Sequence, residues 1–177
     1  MPSIHWGQRG HVPLPGIVVL TLALASAASA GGSAASRPTG LANAEVAERV
    51  DIGGRSLFLR CSGSGAPTVI LDTGPSNTHE ARARVRPEVS PLTRVCSYDR
   101  AGIGGSDAGP PPGTARASVD DLRALLAAAG IAPPYLLVGH SWGGLSARVY
   151  ARTYPDEVAG LVLVDAVPPN SSTGLRR

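Results

Sequence analysis

An apolar run, Tyr135-Leu136-Leu137-Val138, leads straight into Gly139-His140-Ser141-Trp142-Gly143-Gly144, and a helical pattern then continues to Tyr154, where Pro155 stops it. This G-x-S-x-G between a strand and a helix constrains the chain more than any other feature. The strand must become a helix within about one residue, which pushes Ser141 into a strained backbone. Only glycines at 139 and 143 let the two segments approach closely enough to hold that turn. The helix start then aims free N–H groups and its positive dipole end at the space beside the serine hydroxyl. The expected arrangement is a nucleophile elbow shaped by Gly139, His140 and Gly143. Ser141 would be the attacking group and the Trp142 N–H an oxyanion donor.

The rest of the chain alternates short apolar runs with helical patterns, which predicts an α/β fold: a mostly parallel sheet with flanking helices. Residues 50–52 and 56–60, joined by Gly53-Gly54, read as a hairpin. Strands are expected over 68–71, 94–99, 135–139 and 158–165. The segment 79–89 reads as amphipathic. A clear helix is expected over 118–129, capped by Ser118 with Asp121 at its third position and ended by Gly130. With 177 residues there is room for one domain.

All 16 basic residues are arginine, so chemistry that needs a lysine is excluded, including a phosphate-gripping P-loop or a Schiff base. A net charge of +3 from scattered arginines gives no nucleic-acid footprint. No metal-ligand set is present, and Gly102 and Gly104 are followed by Asp107 where a dinucleotide loop would want its third glycine. No cofactor is therefore expected. Residues 1–30 read as an export signal: Arg9, an apolar stretch over 16–25, and a small-residue site at Ala28-Ser29-Ala30. The apolar stretch is shorter than the roughly 20 residues of a spanning helix, so no stable membrane span is expected after cleavage. Residues 31–44 read as a flexible leader and 45–177 as the folded domain, in a secreted or extracytoplasmic protein. Cys61 and Cys96 are either buried free thiols or a disulfide, and an exported chain favours the bridge.

From about residue 50 to residue 167 the chain resembles the α/β-hydrolase family. The resemblance rests on the serine elbow and on Asp99-Arg100-Ala101-Gly102-Ile103-Gly104-Gly105-Ser106, which looks like the family's D-R-x-G-x-G-x-S turn. It rests also on Pro155-Asp156-Glu157-Val158 with the apolar strand after it, and on Thr73-Gly74, which resembles the loop supplying a second oxyanion N–H. It implies that the second and fourth strands are neighbours, which would place Cys61 beside Cys96 as a structural disulfide. Asp99 and Arg100 would hold the glycine turn by hydrogen bonds. Asp165, at the end of the sixth strand, becomes a candidate acid. After Gly74 stands Pro75, which has no N–H, so Ser76 is the candidate second oxyanion donor.

In the family, acid and histidine follow the serine. Here His5, His11, His79 and His140 all precede Ser141. The resemblance thus implies the amino-terminal part of that fold only, incomplete after its sixth strand. The expected function is a serine hydrolase acting on a small-molecule ester, amide or related acyl bond, impaired in this chain. The alternative is a non-catalytic remnant that binds a ligand or partner. His79 and His140 are expected to be structural. The apolar last strand is expected to support self-association.

Overall fold

The computed structural model describes residues 45–111 and 113–168. The expected signal segment, the leader and the tail beyond residue 168 lie outside the described residues. Among the described residues six strands form one sheet: β1 (Val46–Asp51), β2 (Ser56–Ser62), β3 (Thr68–Asp72), β4 (Val95–Tyr98), β5 (Tyr135–His140) and β6 (Val158–Val164). Their order is β1-β2-β4-β3-β5-β6. β1, β2 and β4 pair antiparallel, whereas β4, β3, β5 and β6 run parallel. The α/β expectation therefore holds, with a mostly parallel sheet carrying an antiparallel hairpin at one edge.

β3 reads TVILD and is buried along its whole length, as expected of a central parallel strand covered on both faces. Its side chains alternate between two cores. Ile70 joins Leu57, Leu59 and Leu137 beneath two helices, α2 (Ala115–Ala128) and α3 (Trp142–Thr153), while Val69 and Leu71 meet Val95 on the other face. The α2 residues Val119, Leu122, Leu125 and Leu126 are all buried. Their spacing puts them on one helical stripe, and each contributes roughly 1.5–3 kcal/mol by leaving water.

Two local expectations are corrected. The cap of α2 is Thr114, not Ser118: its hydroxyl accepts the Ala117 N–H at 3.0 Å, so the helix begins three residues earlier than the sequence pattern suggested. Ser118 instead donates back to the Thr114 carbonyl at 3.1 Å, a bond that satisfies a hydroxyl inside a helix. Asp121 pairs with Arg55 of the β1–β2 hairpin rather than serving the cap. The 79–89 segment forms a 3-10 turn (His79–Arg82) and a single-turn helix, α1 (Arg86–Val89), rather than one amphipathic helix.

Cys61 and Cys96 are direct cross-strand partners on β2 and β4, joined as a disulfide with their Cα atoms 4.1 Å apart.

Candidate active site

The last residue of β5 is His140 and the first of α3 is Trp142, so Ser141 alone makes the turn. Its φ of 55° and ψ of −120° put a side-chain-bearing residue in the left-handed half of backbone space, a conformation that persists only where the surroundings enforce it. They do so through three hydrogen bonds. The Ser141 N–H donates to the Val164 carbonyl at 3.2 Å, and the Ser141 carbonyl accepts from Gly144 at 3.0 Å and Val167 at 3.1 Å. The flanking glycines permit the close packing: a Cβ on Gly139 would lie 2.5 Å from the Gly143 carbonyl oxygen, and one on Gly143 would lie 2.6 Å from the Asp72 carbonyl. Thus β5, α3, β3 and the end of β6 converge on a single serine at the carboxyl edge of the sheet. Ligands of open α/β sheets bind at that edge.

The loop facing the serine leaves β3. Gly74 to Asn77 form a tight turn closed by the Asn77 N–H to the Gly74 carbonyl at 3.2 Å, with Pro75 in the position whose φ it pre-sets. Arg100, two residues past the end of β4, clamps this loop. One guanidinium nitrogen donates to Asp72 Oδ1 at 2.7 Å and another to the carbonyl oxygens of Thr73 and Gly74. Burial pushes the Asp72 carboxyl above its ordinary range, against the pull of the Arg100 guanidinium. Arg100 is thereby drawn to this loop and not to the glycine turn expected for it, whereas Asp99 does hold that turn: its carboxylate accepts the His79 N–H at 2.5 Å and the Gly105 N–H at 2.9 Å, tying the glycine turn to the 3-10 turn.

Ser76 lies exposed in the turn. Asn77 is exposed as well, but its carboxamide reaches back to Gly74: a Cβ built on Gly74 would lie 3.4 Å from Asn77 Nδ2 and 3.8 Å from Ser141 Oγ. Sequence reading missed Asn77, because the side chain lies three residues beyond the glycine and reaches back only through the turn.

Neither described histidine addresses the Ser141 hydroxyl. His79 Nδ1 lies 3.0 Å from Asp99 Oδ1, its Nε2 lies 2.9 Å from Glu80 Oε1, and its ring packs on Phe58 of β2 with centroids 4.5 Å apart. It therefore sits over β2 and β4, and β4 is two strand spacings, roughly 10 Å, from β5. His140 belongs to β5 itself, paired with Val164 of β6, and its Nδ1 is buried without a hydrogen-bond partner. Asp165 follows β6 with a φ of 43° and is exposed, one residue from the Val164 carbonyl that holds Ser141.

A cleft of about 820 Å³ opens beside the elbow, lined among others by Pro75, Tyr98, Arg100, Ile103, Pro110 and Trp142. A second hollow of about 620 Å³ is lined by Ile131, Tyr135 and Tyr154. It lies at the opposite end of β5, since Tyr135 begins the strand that Ser141 follows, and has no part in this site.

The family model for the alpha/beta hydrolase fold matches residues 69–176, from the central strand through the elbow and β6. The chain belongs to the alpha/beta hydrolase family. Among curated relatives of this chain, the "Probable transporter efuK" of Hormonema carpetanum is 36% identical over 124 residues, covering 66% of this chain and 18% of that protein. The protein YqjL of Bacillus subtilis is 33% identical over 103 residues, covering 58% and 41%. Among solved structures, VinJ superposes with a TM-score of 0.62 at 34% identity, covering 68% of this chain and 44% of that one. The epoxide hydrolase CorEH gives a TM-score of 0.64 at 28% identity, covering 70% and 43%. The chain thus spans less than half the length of each of these relatives.

Proposed function

We propose that Ser141 is the nucleophile of a hydrolase acting on a small-molecule ester, amide or related acyl bond. The observation that carries this reading is the strained serine between β5 and α3, at φ 55°, held beside the first N–H groups of the helix. In the reaction, an Oγ–C bond forms while the carbonyl π pair moves onto oxygen. The hydroxyl proton passes to a base and then to the leaving group as the C–X bond breaks, and water afterwards releases the acyl group. The Trp142 N–H, one of the helix-start donors without an intrahelical partner, would stabilise the charged oxygen. The cleft beside Trp142 would hold the acyl substrate.

A base is the weak point of this constellation. His79 is engaged by Asp99 and Glu80, and no other described imidazole faces the hydroxyl, so turnover by this chain is expected to be low. Asp165 is a candidate to orient an imidazole, by its place at the end of β6. A second reading, a ligand-binding remnant using the same cleft, is favoured by the absence, among the described residues, of an imidazole facing the hydroxyl. The Cys61–Cys96 disulfide supports a place outside the reducing cytoplasm.

Exposure of the full chain to an alkyl fluorophosphonate in imidazole buffer, which supplies an external base, tests the serine reading. Mass addition at Ser141, absent in Ser141→Ala, is the expected result. No addition at Ser141 would leave the ligand-binding reading.

A further inference from the structure

We infer that the carboxamide of Asn77 supplies the second oxyanion donor of this site, in place of the backbone N–H that Pro75 lacks. The inference rests on the reading of Ser141 as nucleophile. Four connections fix the loop that carries Asn77. Its N–H closes the turn on the Gly74 carbonyl at 3.2 Å, and its own carbonyl accepts the Thr73 hydroxyl at 3.1 Å. Arg100 meanwhile holds the carbonyl oxygens of both Thr73 and Gly74. With the main chain fastened at both ends, the side chain folds back over Gly74.

The space above Gly74 is where the geometry converges. From the point a Cβ would occupy there, Asn77 Nδ2 is 3.4 Å away, Ser141 Cβ 3.6 Å and Ser141 Oγ 3.8 Å. Any side chain at position 74 would fill this hollow; glycine leaves it open to the oxygen of a carbonyl under attack by Oγ. Nδ2 makes no hydrogen bond to another described group, so both its N–H groups are open to a ligand.

The chemistry suits a neutral amide. As the Oγ–C bond forms, the carbonyl π pair becomes an oxyanion, and a donor fixed beforehand stabilises that charge far more than the ground-state carbonyl. When the intermediate collapses the pair returns to the carbon and the leaving group departs. Asn77 gives up no proton and forms no bond of its own. Loss of one such donor typically lowers a rate by about 10²–10³-fold.

The test uses the full chain, an alkyl fluorophosphonate and imidazole buffer. In that reaction Oγ–P forms, P–F breaks, fluoride leaves and imidazole takes the proton, while the phosphoryl oxygen occupies the oxyanion position. Mass spectrometry follows the rate at Ser141 in the parent, Asn77→Ala and Asn77→Asp. The aspartate keeps the size and main-chain bonds of Asn77 but cannot donate, so it decides the matter alone should the alanine variant fail to fold. The expected result is labelling at least tenfold slower in the variants, with an unchanged thermal midpoint for Asn77→Asp. Slowing of less than tenfold, with the parent labelled, overturns the role of Asn77 and leaves Ser141 in place. An unlabelled parent overturns both.

Discussion

Cys61 of β2 and Cys96 of β4 stand directly opposite each other in the antiparallel register, and both are buried. The bridge ties the antiparallel edge to the parallel centre of the sheet across a sequence separation of 35. Closing a loop of that size in the unfolded chain stabilises the fold by roughly 3–4 kcal/mol in the chain-entropy model. The double variant Cys61→Ser/Cys96→Ser should lose about that much in urea unfolding. Alkylation of the unreduced protein should find no free thiol; two alkylated cysteines would refute the bridge in solution.

Gly143 carries a sharper expectation. Its missing side chain lets α3 rest on the end of β3, and a Cβ would fall 2.6 Å from the carbonyl of Asp72, a main-chain atom that cannot rotate away. Overpacking of this kind costs about 1–3 kcal/mol. Gly143→Ala should lower the thermal midpoint clearly, whereas alanine at Gly113, where a Cβ meets nothing within 4 Å, should barely move it.

Those two positions show what kind of information the sequence carried. The elbow was legible because its constraint is local: one strand, one serine and two glycines adjacent in the chain. The pairing of Cys61 with Cys96 came only through the family topology, since nothing within either strand names its neighbour. The start of α2 is not fixed by the hydrophobic pattern, because a threonine hydroxyl caps as a serine one does. Only the path of the preceding loop selects Thr114, and Asp121, the apparent partner of Ser118, is drawn away by Arg55. Asn77 was invisible for a related reason: its role depends on a turn folding its side chain back over Gly74, an arrangement without a spacing signature.

A serine hydroxyl without an imidazole stays protonated and is a weak nucleophile. The full chain should therefore hydrolyse nitrophenyl acetate in phosphate buffer no faster than Ser141→Ala. A Ser141-dependent kcat on the order of 10 per second, typical of enzymes, would show that a base reaches the hydroxyl. His79→Ala would then ask whether the Asp99-held ring swings away from Glu80 to provide it.

Glu157 gives a pH dependence. Partial burial opposes its charge, but hydrogen bonds from Arg123 at 2.8 Å and Tyr150 at 2.6 Å outweigh that and hold its carboxyl below the ordinary value. A lowered carboxylate pKa means stability that is present above the unfolded value, near 4.5, and lost as pH falls through the folded one. Chemical denaturation between pH 6 and pH 3 should show the parent losing stability across that window. Glu157→Gln should be less stable at pH 6 and should have a shallower acid slope; equal slopes would refute the linkage.

The final expectation concerns β6. It pairs with β5 on one side, and among the described residues no strand occupies the other. Its residues Leu161, Val162, Leu163 and Val164 are 37%, 44%, 39% and 45% exposed, which is high for aliphatic residues within a parallel sheet. An edge protected against pairing carries a charge, a proline or a bulge; residues 160–164 are Gly-Leu-Val-Leu-Val, with no charge and no proline, and the register irregularity of β6 lies before them, between Val158 and Gly160. Unpaired N–H and C=O groups on such a strand template a further strand, and its exposed aliphatic faces add apolar contact. In light scattering coupled to size exclusion, the chain should gain mass as its concentration rises. Val162→Lys, which sets a charge in the middle of the edge, should shift that equilibrium back toward the monomer without altering the disulfide. A concentration-independent monomer with a single cooperative melt would show that this edge is covered in solution.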